Sequence, residues 1–370
     1  VRILIDGAPP YAQSGYGRLC YFACRALVSL GHQVAVSCYA GVHEERERDG
    51  VQLLGTGGRP YGNGVTALNY RRWDADAMLI LQDLFVLDPD QFKGLVVFPW
   101  VPVDCDPLGV MDRRWLDTVA QIADLRPIAM SEHARKMMAQ AGISSAYVPL
   151  ATDYQPDPAA GKAWREAKGI PPDMFLIAKI GVNNEDDRKA FSVTEQAFAT
   201  FMARQKGRTG LYLHCEAQAR KSPNLAYMAI DLGLKDHIAF CDEEMRACDL
   251  YGHDYLRGMM NAADVLDMAT KGEGFGVPAI EALACGTPVI ACRNSAMTEK
   301  IRPEHGWLIG GQREWAVHHN AWWQTPSVLE LERAYAKART SAASMRRAAA
   351  KAGQGWSLQA MTDALSALLA

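Results

Sequence analysis

The sequence predicts an α/β fold of two Rossmann-like, doubly wound domains, and three observations carry that prediction. Short β-rich runs alternate with helical patterns throughout, which marks parallel sheets joined by crossover helices. The alternation pauses at "PLATDYQPDPAAG" (Pro149 to Gly161), where proline and small residues crowd together, and then restarts. At 370 residues the chain is also longer than one hydrophobic core usually serves. The division that follows is an N-terminal domain over 1–152, a C-terminal domain over 153–353, and a terminal helix over 354–370 able to pack back on the N-terminal domain.

In the first domain the strands are "VRILID", "QVAVSCY", "VQLLG", "AMLILQ", "LVVFPWVPV", "PIAMS" and "AYVPLA", all short and rich in β-branched or aromatic residues. Between the first two, a helix from about Gly17 to Leu30 presents Leu19, Phe22, Ala26, Leu27 and Leu30 on one face, with Gly31 as its stop. The second domain repeats the pattern, though not the sequence, with "FLIAKIG", "LYLHC", "HIAFC", "VLDMA", "PVIAC" and "GWLIG". The tail from about Ser327 reads as an alanine-rich helix whose arginines and lysines form a solvated face. Two such domains facing each other leave a cleft at the carboxyl ends of their strands, so function is expected on the loops that follow strands.

Composition narrows the classes. Hydrophobic residues make up 49% of the chain, which excludes a disordered polymer. A net charge of -3 provides no basic field for gripping a nucleic-acid backbone. No apolar run approaches the ~20 residues that span a bilayer, and "VRILIDG" reads as a strand and not as a signal segment. The expectation is a cytoplasmic protein, with peripheral membrane contact left open. Its nine cysteines lack zinc-like CxxC spacing and read as reduced, structural thiols, Cys20, Cys24, Cys285 and Cys292 among them.

The stretch "EGFGVPAIEALACGTPVIA" (Glu273 to Ala291) poses the chemical question. It carries Glu273 and Glu281 in apolar surroundings with no lysine or arginine. A carboxylate there loses hydration that a distant cation, backbone N–H groups or ligand hydroxyls must replace. "VLDMA" is a strand, "TKGEGFG" the loop after it, Pro278 a first-turn helix residue and Gly286 the stop. Glu273 then lies in the loop and Glu281 one turn into the helix. The backbone around Gly274, Phe275, Gly276 and Val277 forms the helix mouth, where N–H groups and the dipole favour an anion. A phosphate with a sugar on either side satisfies all of these groups, which describes a nucleotide sugar.

With its glycines, its proline and "EALACGTPVIA", the stretch resembles the signature of the retaining glycosyltransferases of family 4. That family has the GT-B fold, two Rossmann-like domains facing across a cleft. "MMNAADVLDMATKGEGFG" is similar to the segment before the family's first glutamate, and Glu299 in "SAMTEKI" falls where the family usually has an acid. "IAMSEHARKMMAQAGISSAYVPLATD" looks like the end of its first domain and its hinge. The resemblance implies sugar transfer from a nucleotide-sugar donor, a UDP- or GDP-sugar, to a hydroxyl. No bound cofactor and no metal requirement are expected. The resemblance also implies that Glu273 contacts the donor sugar, that Glu281 contacts the ribose hydroxyls, and that the leaving phosphate takes the acceptor's proton on the same face.

Other segments supply the remaining candidates. "PPYAQSGYGRLCYF" follows the first strand and reads either as a phosphate contact or as a plain turn. The family's glycine-rich loop over the donor phosphate implies the former for Gly15, Tyr16 and Gly17. A departing diphosphate needs fixed positive charge, and "IAKIGVNNEDDRKAF" places Arg188 and Lys189 after a strand. Lys189 matches the family's lysine. The family's arginine is replaced by Asn183 or Asn184, with Arg188 as a substitute and Asn183 kept as a donor contact. Where the family often has a histidine, "LILQDLF" offers Gln82 and Asp83, and "VPVDCDP" offers Asp104 and Asp106 as further proton acceptors.

As a metal site, "DAD" (Asp74 to Asp76) lies on the wrong side of its strand, and "DCD" (Asp104 to Asp106) is a poor site without phosphates to complete it. His318 and His319 read as surface residues of a helix-like segment. Three rival functions stand beside the transferase: a nucleotide-sugar-binding module without turnover, a glycoside hydrolase with paired carboxylates, and an oxidoreductase, disfavoured by the absent GxGxxG. The acceptor is open among a glycan, a lipid-linked sugar, a protein, a small alcohol and a modified nucleobase.

Overall fold

The computed structural model describes residues 1–42, 44–55, 59–205, 207–248 and 250–369. Two compact units emerge, one of Val1–Ala151, Trp315–Trp322 and Trp356–Ala370, the other of Thr152–Glu314 and Trp323–Gly355. The terminal helix belongs to the first unit. So does the segment 315–322, which the sequence reads as part of a continuous second domain.

In the first unit the strands are β1 (Arg2–Gly7), β2 (Gln33–Cys38), β3 (Arg46–Arg48), β4 (Val51–Leu54), β5 (Ala77–Leu81), β6 (Val96–Val101), β7 (Asp124–Leu125), β8 (Ile128–Ala129) and β9 (Ala146–Tyr147). The helices are α1 (Gly15–Ser29), α2 (Thr66–Arg72), α3 (Val110–Val119) and α4 (Glu132–Gln140). Their sheet runs β3-β4-β2-β1-β5-β6-β8-β9, with β7 also on β6, and only β3 pairs antiparallel among the described pairs. Helix α1 begins two residues before the expected Gly17, because the Ser14 hydroxyl accepts the Gly17 N–H at 3.1 Å and caps it.

The second unit holds β10 (Phe175–Ile180), β11 (Thr209–His214), β12 (Ile238–Phe240), β13 (Val265–Met268), β14 (Val289–Cys292) and β15 (Gly306–Ile309). Its helices are α5 (Pro158–Ala167), α6 (Phe191–Arg204), α7 (Leu225–Asp231), α8 (Glu243–Ala247), α9 (His253–Ala262), α10 (Val277–Ala284), α11 (Met297–Lys300) and α12 (Val328–Gly353). The parallel order is β12-β11-β10-β13-β14-β15, the doubly wound arrangement. A hairpin of β16 (Gly311–Ala316) and β17 (Ala321–Pro326) precedes α12, and α13 (Leu358–Leu369) packs on α1 within the first unit. His318 and His319 therefore sit on a hairpin turn and not in a helix-like segment. Asn320, at φ 47°, supplies the left-handed residue that closes this turn.

Both faces of the second sheet are covered, as alternation along β10 dictates. Leu176 and Ala178 join the cluster with Met259 and Leu283, whereas Phe175 and Ile177 join Phe198, Phe201 and Tyr335. One buried ion pair crosses this core. Lys179 Nζ lies 3.3 Å from Asp267 Oδ1, with both side chains sealed from solvent, and Asp267 Oδ2 accepts from Thr194 at 2.8 Å and from Tyr335 at 2.5 Å. Of the nine cysteines none is disulfide-bonded, and only Cys248 is exposed. No helix among the described residues is long and apolar enough to cross a membrane.

Candidate functional site

In a doubly wound sheet a crevice opens where successive loops leave in opposite directions. In the second unit that point lies between β10 and β13, which pair directly. The loop after β10 carries Arg188 and Lys189, and the loop after β13 carries Glu273. Across the crevice Lys189 Nζ meets Glu273 Oε1 at 2.6 Å, with side-chain exposures of 15% and 6%. The cation that the stretch from Glu273 to Ala291 lacks thus arrives from 84 residues away. Burial pushes the Glu273 carboxyl up, but the charges of Lys189 and Arg188 outweigh it, and the carboxyl is held below its ordinary value.

The pair is fixed from several sides. Arg188 Nη1 donates to the Gly272 carbonyl at 2.8 Å, and the Lys271 N–H donates to the Arg188 carbonyl at 2.8 Å. The Glu273 N–H donates to Ser295 Oγ at 3.0 Å, tying in the loop after β14. The lysine stem runs so close over Gly181 that a Cβ there would lie 3.0 Å from Lys189 Cγ. Asp187 accepts the Phe191 N–H at 2.8 Å, capping α6 and setting the strand-to-helix turn that presents Arg188 and Lys189.

Helix α10 forms as the sequence predicts. Gly276 is its N-cap at φ 85°, and Pro278 sits in the first turn. Gly286, at φ 78°, donates to Leu283 O while Thr287 donates to Ala282 O, both at 2.8 Å, which is a Schellman stop. Glu281 is buried in the second turn, with 5% of its surface exposed. Phe275 carries Lys300 Nζ 3.8 Å from its ring centroid.

Lys300 has no counterpart in the sequence reading, which singles out only its neighbour Glu299. It is buried, its Nζ lies 2.7 Å from Glu299 Oε1, and burial draws its ammonium down to about 8 against the pull of Glu299. Lys271 is equally unforeseen. Its Nζ donates to Asp186 O and to Glu314 Oε1, both at 2.9 Å, and so braces the Glu273 loop. Nothing local distinguishes these lysines from surface ones, because the partners of Lys271 and the Phe275 ring against Lys300 lie in other segments.

Asn183 is buried, and its Nδ2 donates to the carbonyls of Glu216 at 3.1 Å and Pro223 at 2.9 Å. It knits the loops after β10 and β11, while its Oδ1 has no donor among the described residues.

The first unit repeats the arrangement at its own switch point, between β1 and β5. Tyr16, in the first turn of α1, donates to Asp83 Oδ1, after β5, at 2.7 Å. Gly15 has open space where a side chain would go. A Cβ on Gly17 would sit 2.1 Å from Ala12 O, so packing alone requires that glycine. Gln82 Nε2 donates to the buried Asp6 at 2.7 Å, and burial pushes the Asp6 carboxyl up to about 7 against the hydrogen bonds of Thr66 and Gln82. Asp104 lies beside Cys105 and His319, whereas Asp106 is exposed and pairs its backbone with Trp322.

Residues 176–321 match the family described as glycosyl transferases group 1. Among curated relatives, D-inositol 3-phosphate glycosyltransferase 2 of Catenulispora acidiphila is 29% identical over 163 residues, 42% of this chain and 36% of that protein. The D-inositol 3-phosphate glycosyltransferase of Stackebrandtia nassauensis is 38% identical over 92 residues, 24% of this chain and 19% of that one. The chain thus spans well under half the length of these relatives. Among solved structures, sucrose-phosphate synthase from Thermosynechococcus elongatus superposes with a TM-score of 0.77 at 16% identity, covering 100% of this chain and 98% of that one. Anabaena HepE in complex with UDP-glucose gives 0.71 at 14% identity, covering 100% and 98%. Residues 176–321 are thus similar to the group 1 glycosyl transferases, and the two Rossmann-like units have the GT-B fold.

Proposed function

We propose that the chain is a retaining glycosyltransferase that moves a sugar from a nucleotide-sugar donor to a hydroxyl acceptor. The observation that carries this reading is the buried Lys189–Glu273 pair across the second unit's switch point, inside the stretch shared with the family. An ammonium has three donors, so Lys189 can hold Glu273 and a donor phosphate oxygen together. Arg188 and the α10 mouth, from Gly274 to Val277, add positive potential for the diphosphate. Glu281 accepts the ribose hydroxyls and Asn183 Oδ1 offers an acceptor to the donor, while Gly15, Tyr16 and Gly17 are the first unit's candidates for contacting a phosphate. As the bond between the anomeric carbon and the diphosphate breaks, the acceptor oxygen bonds to that carbon on the same face. Its proton passes to the departing phosphate oxygen, so Asp104 has no proton to remove.

A hydrolase needs a carboxyl acid with a raised proton affinity. Glu273 is shifted the other way, which favours transfer. The HepE structures hold UDP, UDP with glucose, or UDP-glucose, so UDP-sugars are the donors to try first. The relatives' names put D-inositol 3-phosphate among the acceptors to try. A reducing cytoplasmic setting suits the unpaired thiols.

The test is a thermal-shift panel of UDP- and GDP-sugars, followed by NMR of the sugar released or transferred. The expected result is stabilisation by one nucleotide sugar and first-formed sugar with the donor's anomeric configuration. Inverted product, or no stabilisation and no turnover across the panel, would overturn the proposal. Stabilisation without turnover in the presence or absence of acceptors would leave only the binding module.

A further inference from the structure

The acidic "DCD" motif pairs Asp104 with Asp106 on paper, but the fold separates them and gathers a different set. A carboxylate oxygen of Asp104, the sulfur of Cys105 and a ring nitrogen of His319 all lie within 4.8 Å of one another in the first unit. We propose that Asp104, Cys105 and His319 form a binding site for a zinc-type divalent transition metal. The site is independent of the transferase reading.

The donor set chooses the metal class. Magnesium and calcium take oxygen ligands, whereas a thiolate beside an imidazole selects zinc or a similar borderline ion. Zinc bonds of about 2.0–2.3 Å place ligand atoms roughly 3.3–3.8 Å apart in a tetrahedron. Reaching that geometry from the observed spacing takes side-chain shifts of about 1 Å or less. Cys105 binds as the thiolate and releases its proton to solvent.

The backbone already holds these ligands in place. Asp106 and Trp322 exchange N–H···O bonds at 3.0 and 2.9 Å, and the Val110 N–H donates to His319 O at 3.0 Å. The hairpin turn bearing His319 is therefore stapled to the loop bearing Asp104 and Cys105. Phe85 meets the His319 ring edge-on at 6.0 Å, and His133 Nε2 lies 2.9 Å from Cys105 O. Gly109 lies beside the cluster. A Cβ there would stand in ordinary contact, 3.4 Å from Asp112 Oδ2 and 3.5 Å from His319 Nδ1, which puts Asp112 close to the His319 ring and makes it, or a water, the fourth ligand of the proposed site.

The experiment titrates the full chain, stripped with chelator, with Co²⁺ alone and then with Zn²⁺. The expected result is a thiolate-to-cobalt charge-transfer band that saturates at one metal per chain and is erased by Zn²⁺. Cys248→Ser, which removes the exposed thiol, retains the band. Cys105→Ser loses it, and His319→Gln weakens Co²⁺ binding at least ~10-fold. No charge-transfer band, or a band that survives both Cys105→Ser and His319→Gln, would overturn the proposal. Circular dichroism checks folding. Should Cys105→Ser fail to fold, His319→Gln on the solvent-facing turn decides alone.

Discussion

Replacing Lys189 by methionine keeps the stem that crosses Gly181 and deletes the charge that faces Glu273. With side-chain exposures of 15% and 6%, the pair is buried, so solvent replaces little of what is lost. Removing one partner of such a pair typically costs 3–5 kcal/mol. Arg188 still faces the carboxylate, which argues for the lower end, about 3 kcal/mol. For a unit in the 150–250-residue class, about 2–4 °C per kcal/mol converts this into a Tm loss of roughly 6–12 °C.

The sign of the pH dependence is fixed. In the parent chain the depressed Glu273 carboxyl contributes stability above its unfolded pKa, and that contribution is lost as pH falls through its folded value. In Lys189→Met burial dominates and raises the same carboxyl, so falling pH neutralises the stranded charge and relieves the variant. The Tm gap between the two proteins should be largest at pH 7–8 and shrink towards pH 5. A double-mutant cycle with Glu273→Gln should show a coupling of about 2–3 kcal/mol at neutral pH. Differential scanning calorimetry across this pH range is the assay. A gap below about 2 °C, a gap constant with pH, or additive single variants would refute the reasoning.

Five further outcomes follow from the same geometry. Glu281→Ala should weaken UDP binding by about 10- to 150-fold, the worth of a charged hydrogen bond to a ribose hydroxyl, in calorimetric titration. Glu273→Gln should leave UDP affinity within about threefold while lowering kcat by about 100-fold or more. Gly276→Ala forces a side chain into φ 85° and should cost about 1–2 kcal/mol in chemical denaturation. Gly15→Ala, with open space around the added carbon, should change stability by less than about 0.5 kcal/mol. Burial draws the Lys300 ammonium down to about 8 in the fold, against about 10.4 for an unperturbed lysine in the unfolded chain. Its buried charge is therefore shed first by the folded state, and its unfavourable contribution fades as pH rises between those values. The stability of the parent relative to Lys300→Met should accordingly rise from pH 7 to pH 10, and a constant difference would contradict the assignment.

Much of the fold is legible because its strands are buried runs and its helices carry their own punctuation. Pro278 and Gly286 bound α10 in the sequence as they do in space, and Ser14 and Ser327 cap their helices. The hairpin β16–β17 is not legible. "QREWAVHHNAWW" lacks glycine and proline, and a single asparagine closes the turn, so the histidines carry no sign of a bend. "PIAMS" and "AYVPLA" keep only two-residue ladders, since pairing depends on a neighbour's length as much as on local propensity. At the site, residue types are readable but partnerships are not. The sequence points Lys189 at a phosphate, while the structure gives it a carboxylate 84 positions away. Gly17 resembles a ligand-facing glycine, yet the carbonyl of Ala12 excludes any side chain there. Cys105 sits between two aspartates that draw the eye, and its neighbour His319 comes from the unforeseen turn.

The hydroxyl that closes on Asp267 belongs to Tyr335, 68 positions further along the chain. At a synthesis rate of about 5–20 residues per second, it emerges roughly 3–14 s after the strand it completes. During that interval Lys179 and Thr194 can already hold the carboxylate, so salt bridge and threonine come first and the tyrosine latch last. The loop bearing Glu273 follows that strand directly. A nascent chain therefore displays this loop before the second unit is locked, and acquires its finished geometry only when the long closing helix docks.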